Sequence, residues 1–290
     1  MLITGGRGYI GRNLAEQLTG WDIAAPGRQE LDLLDERATF DYLAAHRFDV
    51  VLHCATHNAS RNPTGDISKV LHNNLRMYFN ILRAADHFGR LIYLGTGSEY
   101  DTRHYHPLMP EEYFGTHVPV DDNGFSKFVM ARHAERDPRI LTLRIFGVFG
   151  KYEDWEIRFI SNACCKALYD LPITLRQNVR FDYLWIDDLV RLVEWFLDNP
   201  APDPAYNVCT ADPVDLLSLA ETVREVSGKD VPIRVGQPGF KPEYSGDNRR
   251  MLELVGGFAF TDRREAIARL YRWYADHKEA IDPARLAVDK

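Results

Sequence analysis

Strand-like, mainly apolar runs punctuate the first half of this chain at residues 2–4, 22–25, 50–54, 91–95 and 140–146. Longer mixed stretches at 12–18, 36–46, 68–88 and 124–136 lie between them and read as helices. Short apolar runs alternating with helices predict an α/β fold, a doubly wound parallel sheet covered on both faces. Ligands of such sheets bind at the carboxyl ends of the strands. Beyond about residue 150 the rhythm breaks. Gly/Pro-rich pieces at 198–204 and 236–239 separate helical runs at 216–226 and 263–277. The pattern predicts a parallel-sheet domain over 1–150. A smaller C-terminal substrate-binding lobe over 151–290 closes over the sheet's binding edge, with some segments returning to the sheet. There is no internal repeat and no low-complexity tract.

The first apolar run feeds Thr4-Gly5-Gly6-Arg7-Gly8-Tyr9-Ile10-Gly11, in which Gly5, Gly8 and Gly11 have the spacing G-x-x-G-x-x-G. A helix-like stretch follows. A strand, a glycine turn and a helix bring bare backbone close to a pyrophosphate and aim a helix N-terminus at its charge. Glycines alone are a weak signal, and a tight turn that merely favours glycine is the alternative. Here they stand in the required context, so the sheet is expected to be of Rossmann type.

Composition narrows the classes. At 290 residues, with 45% hydrophobic and 27% charged positions, the chain can bury a full core. Its net charge of −7 argues against a nucleic-acid footprint. No apolar run approaches membrane-spanning length, and a first strand beginning at Leu2 leaves no room for a signal peptide. Cys54, Cys164, Cys165 and Cys209 form neither metal spacing nor an evident disulfide framework. A cytoplasmic protein is expected.

The glycine turn, taken with later motifs, resembles the extended short-chain dehydrogenase/reductase family, whose members mostly act on nucleotide sugars. Leu31-Asp32-Leu33 resembles its acidic turn facing adenine, and His53-Cys54-Ala55-Thr56 the stretch after its fourth strand. Asn74 matches the family's helix asparagine, Arg180-Phe181-Asp182 through Asp187-Asp188 a segment of its substrate lobe, and Tyr206-Asn207-Val208 a further counterpart. The resemblance implies a nicotinamide dinucleotide held by Gly5, Arg7, Gly8, Tyr9, Ile10, Gly11, Asp32, Leu33, Cys54, Ala55, Thr56, Asn74 and Lys127. An acidic residue after the second strand would bind the free ribose of NAD. That position reads Pro26-Gly27-Arg28, with no carboxylate, and Arg28 offers a planar fork suited to phosphate. With Arg7 nearby, NADP is favoured over NAD, against two ordinary surface arginines.

The family's catalytic pair is a tyrosine and a lysine four residues apart on one helix face, joined by a strand-end hydroxyl. In Leu94-Gly95-Thr96-Gly97-Ser98-Glu99-Tyr100, counting back four from Tyr100 makes Thr96 that hydroxyl, with Ser98 beside it. Lys127 is the lysine, but Asn123 stands where tyrosine is expected. Asparagine can hydrogen-bond an oxygen but cannot donate or accept a proton near neutral pH. Three readings stay open: redox chemistry is lost and binding kept; another acid or base serves; or Tyr100, Tyr105, His106 or Tyr113 enters the site. Family dehydratases carry an acidic pair just after the threonine, where this chain has Gly97 and Ser98, with Glu99 one place late. The 3,5-epimerising reductases carry a cysteine where Ser98 stands and a histidine near Arg158. What remains is 4-epimerase or ketoreductase chemistry.

On the substrate side the resemblance assigns Tyr100, Asn162 and Arg180 to a nucleotide-diphosphate sugar; an ion pair with Asp182 or Asp187 is the alternative for Arg180. Gly147 replaces an asparagine common among relatives, which reshapes the sugar pocket. Asp187-Asp188 reads as a helix cap. The histidines lack metal-ligand companions, and Cys164-Cys165 reads as core. Relatives pair two long helices into a dimer, and Leu71, Leu75, Phe79 and Leu82 recur at helical spacing, a stripe that faces either a second copy or the sheet. The function expected is nucleotide-sugar modification in polysaccharide or glycan precursor synthesis. A silent sugar-nucleotide-binding protein and a dehydratase using another acid or base are the alternatives, with a non-sugar carbonyl oxidoreductase third.

Overall fold

The apolar run at the start of the chain is the first strand, β1 (Leu2–Thr4), and the glycine turn delivers it into α1 (Tyr9–Gln17). The computed structural model describes residues 1–57 and 66–286. Next come α2 (Glu36–His46), β2 (Phe48–His53), α3 (Val70–Arg83), β3 (Phe88–Thr96), α4 (Asp122–Ala134), β4 (Ile140–Ile145) and β5 (Gly147–Phe149). They are followed by α5 (Phe159–Leu168), β6 (Ile173–Asn178), β7 (Arg180–Phe181), β8 (Tyr183–Trp185) and α6 (Ile186–Asp198). The remainder is β9 (Ala205–Val208), β10 (Val214–Asp215), α7 (Leu216–Ser227), β11 (Ile233–Phe240), α8 (Arg249–Val255) and α9 (Arg263–Asp276).

The central sheet has the order β1-β2-β3-β4-β9, and every pairing is parallel. Its register sets Ile3 beside Leu52, Leu52 beside Ile92 and Leu143 beside Tyr206. Successive side chains face opposite sides, so Leu2, Val51 and Leu91 bury against α2, α3 and α4. Ile3, Leu52 and Ile92 bury on the other face with Leu14, Leu189 and Phe196. This is a Rossmann-type α/β fold. The strand expected at 22–25 shrinks to a single bridge, Ala24 to Leu2, flanked by two backbone bonds at 2.8 and 3.0 Å. Pro26 follows, and having no N–H it cannot extend the ladder.

Helix ends follow local chemistry. Asp35 accepts from the Ala38 amide at 3.0 Å to start α2, and Asp121 from the Gly124 amide at 2.8 Å to start α4. On α3, Val70, Tyr78 and Ile81 take the sheet side, while Leu71, Leu75, Phe79 and Leu82 stay half-buried. The expected cap at Asp187-Asp188 is corrected. Trp185 is the N-cap of α6, and both aspartates lie in its first turn. Asp188 accepts from the Thr261 amide at 2.8 Å and Asp187 from Gln17 at 3.1 Å, so they anchor neighbouring segments.

In the second half, β9 joins the central sheet, and α5, α7 and α9 pack together beside three two-stranded pairs, β7 with β10, β6 with β11 and β5 with β8. Cys164 and Cys165 are fully buried on α5. No helix among the described residues is long and apolar enough to cross a membrane.

Candidate active site

The carboxyl ends of β1, β2, β3 and β4 open onto one cleft of about 1000 Å³. Gly5 begins its floor with φ of +68°, and a Cβ there would sit 2.9 Å from the Ala55 backbone. A Cβ on Gly11 would sit 2.4 Å from the Gly5 carbonyl. Both positions therefore require glycine. Gly8 is the N-cap of α1 and supplies no side chain, so the first amides of the helix remain open to the cleft. Bare backbone, a left-handed glycine and an uncapped helix N-terminus fit a dinucleotide pyrophosphate.

Arg7, Tyr9, Ile10, Arg28, Asp32, Leu33, Cys54, Ala55 and Thr56 line the same cleft. Asn74 does not. It is buried, accepts from the His57 amide at 2.7 Å and donates to Ser126 at 3.3 Å, tying the loop after β2 to α4. Its neighbour Asn73 faces the cleft instead. Around Arg28 the charges are balanced. Arg28 reaches Asp32 at 3.2 Å and Arg7 reaches Glu30 at 3.0 Å, all four being exposed. A carboxylate does stand beside this turn, contrary to the sequence expectation. Glu30 folds back onto the Gly27 amide at 2.6 Å and is outside the cleft lining.

Thr96, Ser98, Asn123 and Lys127 also line the cleft. Thr96 ends β3 and accepts the Ser98 amide at 3.2 Å, while its own amide donates to Glu99 at 3.1 Å. Glu99 is fully buried and turned back onto Arg144, so it does not reach the cleft as a dehydratase acid. Lys127 is 7% exposed, with its ammonium 5.2 Å from the Tyr93 ring centroid. Burial lowers it to about 8, against the raising pull of Glu99 and Cys54. His53, buried and bonded to Thr4 at 2.8 Å, is driven down to about 3 by burial and Lys127, and stays neutral. Asn123 is half-buried, and its side chain makes no hydrogen bond among the described residues.

The substrate-side candidates lie elsewhere. Tyr100 is 2% exposed and donates to Asn207 at 2.9 Å, which places it in the core behind the cleft. Asn162 is buried on α5 and donates to the Trp155 carbonyl at 3.0 Å, bracing the loop before that helix. Arg180 is exposed outside the cleft, and it pairs with neither aspartate. Asp182 is instead saturated by the Thr210 amide and hydroxyl and the Ala211 amide. At Gly147 a Cβ would lie 2.4 Å from the Asp182 carbonyl, so no side chain fits there.

Arg158 and Tyr244 are cleft residues to which the sequence reading gives no site role. Arg158, the N-cap of α5, brings a cation with no ion pair among the described residues. Tyr244 brings a phenol whose oxygen is 3.4 Å from Thr96 Oγ1. No local motif marks it, because a backbone bridge to Phe181 carries it there. His104, His106 and Tyr113 lie outside the cleft lining, and no three His, Cys, Asp or Glu side chains among the described residues gather as a metal site.

Comparison with known proteins places this arrangement. Residues 1–209 match the NAD dependent epimerase/dehydratase family. The UDP-glucose 4-epimerase of Bacillus subtilis strain 168 is 23% identical, over 96% of this chain and 97% of that protein. A dTDP-4-dehydro-6-deoxy-D-allose reductase from a Streptomyces species is 26% identical, again over 96% and 97%. The solved structure of a GDP-L-fucose synthetase from Naegleria fowleri bound to NADP matches with a TM-score of 0.80 at 17% identity, covering 96% of this chain and 94% of that one. On the family match across most of its length, this chain belongs to the NAD-dependent epimerase/dehydratase family, within the extended short-chain dehydrogenase/reductases.

Proposed function

We propose that the protein is an NADP-dependent enzyme acting at a carbonyl or hydroxyl carbon of a nucleotide-diphosphate sugar, as a ketoreductase or 4-epimerase. The observation that carries this reading is the single cleft in which the glycine turn, Thr96 and Lys127 meet. A nicotinamide bound there supplies or accepts a hydride. The turn and the N-terminus of α1 hold the pyrophosphate, and Arg28 faces the ribose phosphate. Lys127 donates to the nicotinamide ribose, and Thr96 donates to the reacting oxygen of the sugar. Arg158 stands where it can meet a diphosphate. The relatives' named substrates, UDP-glucose and a dTDP-linked keto sugar, support the substrate class and, with it, a place in glycan precursor synthesis. The half-buried stripe on α3 suits a homodimer.

Native mass spectrometry with NADP, NAD and a panel of UDP-, GDP-, CDP- and dTDP-sugars tests this reading. The expected result is a bound dinucleotide, at least one bound sugar nucleotide and a dimeric mass. Binding of no member of the panel overturns it. A second reading, a silent binding protein, is favoured by Asn123 in the tyrosine's place. Absorbance at 340 nm separates the two: cofactor oxidised or reduced on adding a sugar nucleotide excludes silence.

A further inference from the structure

We propose that Tyr244 is the proton donor of this site, taking the part that Asn123 cannot. The inference rests on the carbonyl-reducing form of the proposed function. Tyr244 lies on the loop after β11, far from the helix that carries Lys127 in sequence, yet its hydroxyl is 3.4 Å from Thr96 Oγ1. Its backbone is held on both sides. The Tyr244 amide donates to the Arg180 carbonyl at 2.9 Å, and its carbonyl accepts from the Asp182 amide at 2.9 Å. The ring packs among Phe146, Phe181 and Tyr105 at centroid distances of 5.2, 5.5 and 5.3 Å. Gly97 makes room for the oxygen, since a Cβ there would stand 2.6 Å from it. Tyr244 also lines a second cavity of about 400 Å³ that shares Phe159, Phe181 and Leu216 with the main cleft. The Tyr244 side chain therefore borders both cavities.

The step balances. The sugar's carbonyl carbon gains a hydride from a reduced nicotinamide, which is left oxidised. The C=O π bond breaks, and its oxygen takes the Tyr244 proton, shared with Thr96. The phenolate regains a proton from water through the cleft. Burial raises Tyr244 above the usual phenol value, while bonds from Thr96, Ser98 and Tyr105 pull it down. A phenol that stays protonated at neutral pH is an acid waiting for a developing alkoxide.

Tyr244→Phe removes only the hydroxyl. Two readouts are used. With NADPH and a panel of nucleotide-linked 4-keto sugars, the variant is expected to keep the wild-type NADPH dissociation constant within twofold. Its turnover is expected to fall about 10²-fold or more. Separately, 3-fluorotyrosine replaces all 14 tyrosines, and the ¹⁹F resonance missing from Tyr244→Phe identifies position 244. That resonance is expected to shift when NADP⁺ saturates the cleft. Turnover within threefold of wild type overturns the inference, as does a resonance unmoved at saturating NADP⁺. If wild type reduces no member of the panel, the functional reading fails, and the fluorine signal alone decides whether Tyr244 faces the cofactor.

Discussion

Arg144 Nε donates to Glu99 Oε2 at 2.6 Å, and neither side chain is more than 1% exposed. The other carboxylate oxygen accepts the Thr96 amide, so a buried charge pair fixes the end of β3 where the candidate hydroxyl stands. Burial pushes Glu99 up, and Arg144, the Thr96 amide and Lys127 pull it back. The guanidinium lies 4.0 Å over the Phe114 ring, and its Nη2 is 3.9 Å from the Glu135 carboxylate, so Glu99 is its one close partner among the described residues. Removing one partner of such a pair strands the other. Glu99→Ala is expected to cost about 3–5 kcal/mol in denaturant unfolding, and Glu99→Gln less, because the amide still accepts from Thr96. A loss below about 1 kcal/mol for Glu99→Ala would contradict a buried, ionised pair.

Lys127 sets a pH dependence. Burial is the largest influence, and it brings the ammonium to about 8. The charged form dominates below that value, so dinucleotide affinity is expected to be flat below pH 7 and to weaken as pH rises through about 8. For the ligand-free protein the sign reverses. A lysine at about 8 when folded and 10.5 when unfolded binds fewer protons in the native state, so stability rises between those values. Lys127→Met should therefore raise the ligand-free Tm by about 2–4 °C while abolishing turnover. Calorimetry at pH 7 checks the Tm, and a cofactor titration from pH 6 to 9.5 checks the affinity. A Tm that falls, or an affinity independent of pH, contradicts this account.

Arg28 is expected to make NADP bind more tightly than NAD. Its present partner is Asp32, in a pair whose side chains are 75% and 40% exposed, and such surface pairs contribute only about 0–1 kcal/mol. A charge-assisted bond to a ribose phosphate outweighs that, so Arg28 can leave Asp32 cheaply. Arg28→Ala should weaken NADP about ten- to hundredfold and leave NAD within threefold. The comparison is two dissociation constants by fluorescence, for wild type and variant. Equal wild-type constants would sink the preference.

Most of the frame was legible because it depends on local pattern. Alternating apolar runs mark a parallel sheet, and three glycines at fixed spacing mark the turn, whatever happens elsewhere. Thr96 and Lys127 came from the family resemblance, counted along its motifs, and both line the cleft. What escaped depends on distant partners. Tyr100 looked available until Asn207, 107 residues on, took its hydroxyl. Tyr244 stands in no motif, and the backbone bridge to Phe181 carries it 148 positions back to Thr96. Glu30 was missed for a subtler reason. The turn at Pro26-Gly27 lets a carboxylate three residues further on fold back onto the Gly27 amide. Asn74 and Asn162 matched by position, yet both spend their amides on neighbouring loops, so they shape the cleft from behind it.

Asn123 offers the last test. It sits in the first turn of α4, four residues before Lys127 and so on the same helix face. Its side chain has no hydrogen bond to lose among the described residues, and it lines the cleft, so a tyrosine there costs no hydrogen bond. If Tyr244 supplies the proton, Asn123→Tyr alone should change turnover less than about tenfold, since a donor is already present. In the Tyr244→Phe background the same substitution should recover much of the roughly 10²–10⁴-fold that a positioned acid contributes. The new phenol would stand one turn from the Lys127 ammonium, which lowers its pKa, so the rescued enzyme should also shift its pH optimum downward. Single-turnover rates of the two single variants and the double variant, from pH 6 to 10, make the comparison. A gain of about 100-fold or more from Asn123→Tyr alone would mean that the wild type lacks a proton donor and that Tyr244 is idle. A double variant no faster than Tyr244→Phe would mean that position 123 cannot reach the reacting oxygen.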